Sequence, residues 1–393
     1  MKKILFIVVF LVFISHFFFR VYSYKENYVS RFDPKYWKDR YLNSQWVDPS
    51  GCDWDPHINP VTCVWDDAWF AAHPVENYVP GKNEPIGDDG LYAYAGWEYV
   101  HGKDPSLLNA EIPPLGKYLI GLSILIFNNQ NIFAFISGIL FLISFYFLNT
   151  KIFKEKVLAF LPVALFSFEP LFYTQLRAPF LDLLYGTFLF LVFYFFLTKK
   201  YILSSIFLGC MMATKASVAT FAITEGSIFL YLFTTRKINE IKNIVFLSPV
   251  AFFVLTLSYL RYFLLGHNIF GFLKVQKWII SFYGMGAKGK FADIFQMIMT
   301  GKWSTWFSAT IPVTEWQITW PLVFIFSFLC IILIFKYKYI DASFLFVSWI
   351  FVYGAFLLLI PVFPRYLLIL LPFFYTLLVY VVKRFRSEVF KSS

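Results

Sequence analysis

The sequence predicts an all-α polytopic membrane protein with about ten transmembrane helices and a large first extracytoplasmic loop. Of its 393 residues, 59% are hydrophobic and only 15% are charged, whereas about a quarter of an ordinary globular chain is charged. The apolar residues form runs of about 15 to 20, the length that crosses a bilayer core. Basic residues cluster between these runs, at 151–156, 199–200, 236–242, 336–338 and 383–391.

The net charge of +10 is explained by these basic clusters. Cytoplasmic turns of membrane proteins carry an excess of Lys and Arg, so the clusters predict which turns face the cytoplasm. Both termini are then cytoplasmic, and the long polar loops lie outside. The charge therefore indicates topology and gives no support for a nucleic-acid partner.

Residues 1–23 form the first predicted transmembrane helix. An apolar run at 4–19 follows Lys2 and Lys3, which places the N-terminus in the cytoplasm. A cleaved signal peptide is the alternative. A retained helix is favoured because no small-residue cleavage pattern follows the run.

Residues 24–131 form the predicted first extracytoplasmic loop, which is too long to be a simple connector. Cys52 and Cys63 lie in this loop, and the sequence leaves open whether they form a disulfide. The apolar run at 115–127 is short for a membrane crossing. Counting it as one would also move every later basic cluster outside, so we expect an interfacial or re-entrant helix.

The rest of the chain contains nine further predicted transmembrane helices. Domain 132–264 holds six of them, 265–318 is a second extracytoplasmic loop, and 319–393 holds three helices and a cytoplasmic tail. The predicted ranges are 132–149, 157–174, 181–198, 202–215, 217–234, 244–264, 319–335, 342–360 and 366–382.

Several charged residues fall at the predicted extracytoplasmic ends of these helices, namely Arg177, Asp182, Lys215, Arg261 and Arg365. Ionisable residues at membrane depth are costly and are functional candidates by default. Arg offers bidentate contacts to a phosphate and Lys a point charge. Two alternatives remain open: single anchors that reach up to water, and a structural ion pair of Arg177 with Asp182.

The first loop supplies candidate acids for chemistry beside these bases, namely Asp88, Asp89 and Glu111. A carboxylate beside a bound phosphate can take a proton from an attacking hydroxyl. An ordinary turn is the alternative for Asp88 and Asp89, since Asp followed by Gly favours turns. Asp66 and Asp67 are a rival pair, and with His57 and His73 they match no zinc spacing.

The same stretch of sequence resembles a known family. Residues 87–95 (GDDGLYAYA) and 111–117 (EIPPLGK) resemble the first outer loop of the GT-C glycosyltransferases. The similarity is closest to the protein O-mannosyltransferases and extends to the aminoarabinose transferase of lipid A. Residues 177–182 (RAPFLD) and 209–215 (GCMMATK) are similar to later motifs of these enzymes. The resemblance covers roughly residues 88–320.

The resemblance implies a GT-C-like fold and a sugar donor carried on a polyprenyl monophosphate, typically with mannose. It implies that Asp88 is the general base, assisted by Asp89 where the family more often has Glu. Glu111 would help to bind sugar or acceptor, and Ile112 replaces the usual His or Lys. The family's soluble lectin-like domain is not recognisable, which favours a prokaryotic plasma membrane.

These expectations combine into an inverting sugar transfer to a hydroxyl of a protein or a cell-envelope glycan or lipid. Arg177 holds the lipid phosphate with Lys215 or Arg365, and Asp182 lies beside them. With a monophosphate donor no metal is obligatory, and the sequence gives no support for a divalent ion. A transporter or lipid flippase is the alternative. It would need proton relay through Glu169 or Glu225 and repeated halves, which the sequence does not show.

Overall fold

The computed structural model describes residues 2–42, 86–285, 291–305, 309–337 and 341–389. Cys52, Cys63 and the rival acids and histidines at 57–73 lie outside the described residues. The first helices are α1 (Lys2–Ser23), α2 (Lys25–Val29), α3 (Pro34–Leu42), α4 (Asp88–Val100), α5 (Leu115–Phe127), α6 (Asn131–Asn149), α7 (Lys156–Phe166), α8 (Pro170–Leu176), α9 (Asp182–Leu197) and α10 (Tyr201–Thr214).

The second half of the chain is also largely helical. It comprises α11 (Ser217–Thr234), α12 (Ile241–Ser258), α13 (Leu260–Leu264), α14 (Ile269–Met285), α15 (Asp293–Thr300), strands β1 (Lys302–Ser304) and β2 (Thr310–Pro312), α16 (Thr319–Lys336), α17 (Phe344–Leu357) and α18 (Leu371–Val389). Two 3₁₀ segments, Ile238–Glu240 and Pro364–Ile369, precede α12 and α18. The two strands pair antiparallel, with Trp303 opposite Ile311.

The helical membrane fold predicted from the sequence is confirmed, whereas the number of crossings is not. Among the described residues, six segments are long and apolar enough to cross a bilayer. They are Phe6–Ser23, Asn131–Asn149, Ser217–Thr234, Ile238–Ser258, Thr319–Lys336 and Pro364–Arg384. Helices α5, α9, α10 and α17 are apolar but shorter. The boundaries of the five predicted domains stay predictions.

The predicted helix at 157–174 is not continuous. Helices α7 and α8 meet at an angle of 76°. The chain breaks before Pro170, whose ring occupies the first turn of α8, where no backbone N–H is needed. Glu169 lies at the break and is 1% exposed. Its carboxylate accepts hydrogen bonds from Thr319 and Trp320 of α16, both at 2.9 Å, and from Tyr375 of α18.

Helix α4, which begins with Asp88, crosses α5 at very short range. A Cβ atom on Gly121 would lie 2.2 Å from the carbonyl oxygen of Gly96, and one on Gly96 would lie 2.5 Å from the carbonyl oxygen of Lys117. Only glycine allows two helix backbones to approach so closely. The crossing therefore fixes the position of α4 against the rest of the bundle.

The remaining apolar helices pack into one extensive core. Helix α9 packs against α6 and α10, α10 against α12, α11 against α17, and α16 against α18. Aromatic side chains fill these interfaces, as where Phe141 meets Phe190 at a ring distance of 4.8 Å. The 3₁₀ segment Pro364–Ile369 contacts α8, α9 and α18. This contact brings Arg365 to the beginning of α9.

Candidate active site

Asp88 and Arg365 meet although 277 residues separate them in the chain. Asp88 begins α4, and Gly87 before it is extended, so the carboxylate stands at the helix end. Arg365 Nη2 donates to Asp88 Oδ2 at 2.5 Å. The side chain of Asp88 is 33% exposed and that of Arg365 is 16% exposed. The carboxylate is thus the outermost part of the pair and remains accessible.

Asp182 and Lys215 extend this pair into a cluster of four charges. Lys215 Nζ donates to Asp182 Oδ1 at 2.7 Å, and both side chains are largely buried. The other oxygen of Asp182 lies 3.8 Å from Arg365 Nε. Two acids and two bases therefore alternate from Asp88 to Arg365, Asp182 and Lys215. We call these four residues the charge cluster.

The local backbone presents Lys215 to the charge cluster. Helix α10 ends at Thr214, Lys215 is extended, and Ala216 adopts a left-handed conformation at φ 49°. The Lys215 carbonyl accepts a hydrogen bond from Thr220 at 2.7 Å. Its ammonium group lies 5.0 Å from the ring centre of Tyr366, which follows Arg365.

Arg365 lies among aromatic rings, and one of its donors makes no hydrogen bond. Its guanidinium carbon is 4.9 Å from the ring centre of Phe363 and 5.7 Å from that of Phe180. Its Nε atom is buried and makes no hydrogen bond to a described residue. An unpaired buried donor of a charged group is costly. This donor faces Asp182 and is directed to the interior of the charge cluster.

Two residues predicted for the site lie apart from this cluster. Arg177 is exposed, its guanidinium stacks at 5.8 Å over Tyr24, and its carbonyl accepts a hydrogen bond from Asn27. The pairing of Arg177 with Asp182 that the sequence allowed is replaced by pairs with Lys215 and Arg365. Asp89 makes no ion pair with another described residue, and one of its carboxylate oxygens lies against Gly87.

Glu111 belongs to a second, fully buried polar group. Asn109 Nδ2 donates to Glu111 Oε1, and Lys117 Nζ donates to the carbonyl oxygens of Asn109 and Ile112 at 2.5 and 2.7 Å. Burial raises the pKa of Glu111 to about 7 against the opposing charge of Lys117, while the charge of Asp88 raises it further. Glu111 therefore lies near enough to the charge cluster for the charge of Asp88 to act on it.

Lys117 lies in the motif at 111–117, but the motif did not predict a role for it. The sequence did contain a signal, because Lys117 is the single lysine of the apolar helix α5. A charged residue in an apolar helix usually has a function or a buried partner. In the structure its side chain is 0% exposed, and its ammonium lies 5.1 Å from the ring centre of Tyr99. Lys117 thus fixes the loop that carries Glu111.

We predict that Lys117→Met lowers the free energy of unfolding by about 3 to 5 kcal/mol, because Glu111 and the two carbonyl groups lose their buried cation. Lys103→Met is the matched control, since Lys103 is exposed in the same loop, and its effect should stay within about 0.5 kcal/mol. Thermal unfolding of both purified variants measures the difference. Equal melting temperatures would contradict the structural role of Lys117.

A third set of contacts ties this loop to the end of α13. Arg261 Nε donates to the Gly102 carbonyl at 2.9 Å, and His267 Nε2 lies 2.7 Å from Asp104 Oδ2. Tyr262 stacks on the His267 ring at 4.3 Å. Arg261, a sequence candidate for the phosphate site, therefore positions the first loop. Within the described ranges, no three His, Cys, Asp or Glu residues group together as metal ligands would.

The fold of the chain is similar to that of two solved structures. The chain is similar to ArnT from Cupriavidus metallidurans bound to undecaprenyl phosphate, with a TM-score of 0.55 and 15% sequence identity. It is also similar to the apo state of the same protein, with a TM-score of 0.58 and 14% identity. Both matches cover 76% of this chain. The chain has the GT-C fold.

The similarity covers only part of the ArnT chains. It covers 56% and 55% of the two ArnT chains, so this chain spans little more than half of the protein that it resembles. No protein family and no curated protein matches the sequence. The GT-C-like fold implied by the sequence motifs is thus confirmed, and membership of the GT-C superfamily stays a prediction. The closer resemblance to protein O-mannosyltransferases stays a prediction.

Proposed function

We propose that this GT-C protein is an inverting glycosyltransferase that takes its sugar from a polyprenyl-phosphate carrier. The observation that supports this most is the contact of Asp88 with Arg365 inside the charge cluster. In this contact an accessible carboxylate lies beside Arg365, and Arg365 and Lys215 of the same cluster can share one phosphate. ArnT, whose fold is similar, is described with undecaprenyl phosphate bound.

The phosphate of the donor binds between Arg365 and Lys215. Arg365 Nε is buried without a hydrogen bond, 3.8 Å from Asp182, and Lys215 Nζ contacts the other oxygen of Asp182. A phosphate oxygen at this place accepts from both groups, and charge-assisted bonds of this kind are about twice as strong as neutral ones. Asp182 lies between the two cations and offsets their mutual repulsion when the donor is absent.

Asp88 acts as the general base of the transfer. The acceptor hydroxyl attacks the anomeric carbon, and its proton passes to Asp88 as the new glycosidic bond forms. The bond between the anomeric carbon and the phosphate oxygen breaks, and the lipid phosphate leaves with both electrons. Arg365 and Lys215 stabilise the negative charge that grows on this oxygen. The base Asp88 and the cations Arg365 and Lys215 all belong to this chain.

The proposed sugar, acceptor and side of the membrane rest on the sequence. The resemblance to protein O-mannosyltransferases favours mannose as the sugar and the Ser or Thr hydroxyls of proteins as acceptors. A cell-envelope glycan or lipid is the other acceptor class. The basic clusters favour an active site on the extracytoplasmic face of a prokaryotic plasma membrane, with both termini in the cytoplasm.

Transfer of a radiolabelled sugar tests the proposal. The purified protein in lipid nanodiscs receives polyprenyl-phosphate mannose or glucose together with a membrane extract as acceptor. We expect label to move from the lipid carrier to a new product, and unlabelled polyprenyl phosphate to inhibit. A protein that neither binds polyprenyl phosphate nor releases label from any sugar carrier would contradict the assignment.

A transporter or lipid flippase is the second candidate, and the broken helix pair α7–α8 favours it. Discontinuous helices form the substrate sites of many transporters. Here, however, the break is filled by the three hydrogen bonds to Glu169. Movement of the polyprenyl-phosphate sugar across a liposome membrane without sugar transfer would favour this candidate.

A further inference from the structure

Two arginines lie close together where α1 ends beside α8. His16, Arg20 and Tyr24 follow one another at intervals of four residues, so they share one face of α1 and its end. Tyr173 and Arg177 have the same spacing at the end of α8. The guanidinium carbon of Arg20 is 5.0 Å from the ring centre of Tyr173 and 6.0 Å from that of Tyr24. The guanidinium carbon of Arg177 is 5.8 Å from the same Tyr24 ring. We call these five residues the α1–α8 seam, and none of them belongs to the charge cluster.

The two cations of the α1–α8 seam have no counter-charge. Among the described residues, neither guanidinium group makes an ion pair or a hydrogen bond, and both contact only aromatic rings. A ring stabilises a cation without cancelling its charge, so the two like charges beside Tyr24 repel each other. Water solvates Arg177, which is exposed, but Arg20 is half-buried. An anion that reaches both groups balances the two charges at once.

Tyr173 adds a buried donor to the α1–α8 seam. Its side chain is 0% exposed, and its hydroxyl has no hydrogen-bond partner among the described residues. His16 packs edge to face with the Tyr173 ring at 5.5 Å, but the Nε2 atom of His16 has no partner either, so the two groups do not bond to each other. A buried hydroxyl proton without an acceptor is costly. An anionic oxygen next to Arg20 supplies the acceptor that this hydroxyl lacks.

The bilayer is the source of an anion at this place. The segment Phe6–Ser23 is apolar, and only 11% of it is buried inside the protein. Helix α1 therefore presents most of its surface to lipid. Phe168, whose ring lies 4.4 Å from that of His16, is 43% exposed. It offers an apolar surface for an acyl chain one turn deeper in the apolar segment than Arg20.

We propose that the α1–α8 seam binds the phosphate group of an anionic phospholipid of the phosphatidylglycerol type. Arg20 and Arg177 hold the phosphate from two helices, the Tyr173 hydroxyl donates to one of its oxygens, and an acyl chain lies against Phe168. Arginine forms bidentate bonds with phosphate, and basic pockets between membrane helices bind anionic headgroups. The bound lipid joins α1 to α8. The proposal does not depend on the glycosyltransferase assignment.

Native mass spectrometry of the delipidated protein in detergent tests this site. The protein is titrated with phosphatidylglycerol, or with phosphatidylcholine of the same acyl chains, whose headgroup has no net charge. We expect the first phosphatidylglycerol to bind at least about tenfold more tightly than phosphatidylcholine, since one charge-assisted hydrogen bond contributes about a factor of ten or more. An excess of inorganic phosphate should not displace it, because inorganic phosphate lacks the acyl chains. Displacement by inorganic phosphate, or equal affinities for the two lipids, would overturn the proposal.

Three variants locate the binding. Arg20→Gln combined with Arg177→Gln removes both cations and should weaken phosphatidylglycerol binding by at least about tenfold, whereas Tyr173→Phe keeps the ring and should weaken it by about three- to tenfold. Lys25→Gln is the matched control, because Lys25 is an exposed cation at the beginning of α2 that contacts Tyr22 instead. It should change the affinity by less than about twofold. Melting in phosphatidylcholine nanodiscs checks that the variants are folded.

Three outcomes of the variant series would overturn the proposal. An equal loss of binding in Lys25→Gln would indicate a general attraction by surface charge instead of a site. Unchanged binding by Tyr173→Phe would remove the buried hydroxyl from the contact. Loss of polyprenyl phosphate instead of phosphatidylglycerol by the double arginine variant would assign the α1–α8 seam to the sugar carrier, and the role given to Arg365 would fail with it.

Discussion

Replacing Asp88 by Asn is expected to lower the rate of sugar transfer by about 10²- to 10⁴-fold, the usual contribution of a general base. Asn keeps the shape of the side chain but cannot accept the proton of the acceptor hydroxyl. Binding of polyprenyl phosphate should be unchanged or stronger, because Asp88 competes with the phosphate for Arg365. Transfer of radiolabelled sugar and equilibrium binding of polyprenyl phosphate measure the two effects separately.

The matched control is Asp89→Asn, which removes the same charge from the same turn of α4. Its carboxylate lies against Gly87 and makes no ion pair with a described residue, so its loss should lower the rate by less than about tenfold. Full transfer by the Asp88→Asn variant would refute the base assignment. Equal losses of transfer rate in both variants would indicate that the rate depends on the negative charge at the beginning of α4 and not on proton transfer to Asp88.

The membrane helices could be predicted because their signal is local. The length of each apolar run and the basic turns between runs gave the ranges in which the structure places helices. The break at Glu169 was not predicted, because the run on both sides of it is apolar and Pro is tolerated in such helices, as Pro162 is inside α7. The break is stabilised by tertiary contacts of Glu169. Thr319, Trp320 and Tyr375 come from two distant helices.

The charge cluster could be predicted only in part. Asp182, Lys215 and Arg365 were candidates because each is a charged group at the end of an apolar run, and Asp88 was one because its motif resembles the first outer loop of the GT-C glycosyltransferases. The sequence could not decide which cation faces which acid. It favoured Arg177, which is close to Asp182 along the chain, whereas the turn before α9 leaves Arg177 exposed. The contacts of Arg365 depend on how the segment Pro364–Ile369 packs against α9.

Arg365→Gln should therefore weaken binding of polyprenyl phosphate by at least about 100-fold. The variant loses a charge-assisted donor in a largely buried place, and such losses amount to about 2 to 5 kcal/mol, with each 1.4 kcal/mol equal to about a factor of ten. Arg177→Gln is the matched control and should change the affinity by less than about threefold, because Arg177 is exposed over Tyr24.

Arg365→Lys separates the charge of this residue from its geometry. Lys keeps the positive charge that balances Asp88 and Asp182, so the folded state should persist, but it offers a point charge in place of the planar fork. We expect an affinity for polyprenyl phosphate between those of the wild type and Arg365→Gln. If Arg177→Gln were instead the variant that loses binding, the phosphate site would lie at the beginning of the turn before α9, as the sequence alone suggested, and the role given to Arg365 would be wrong.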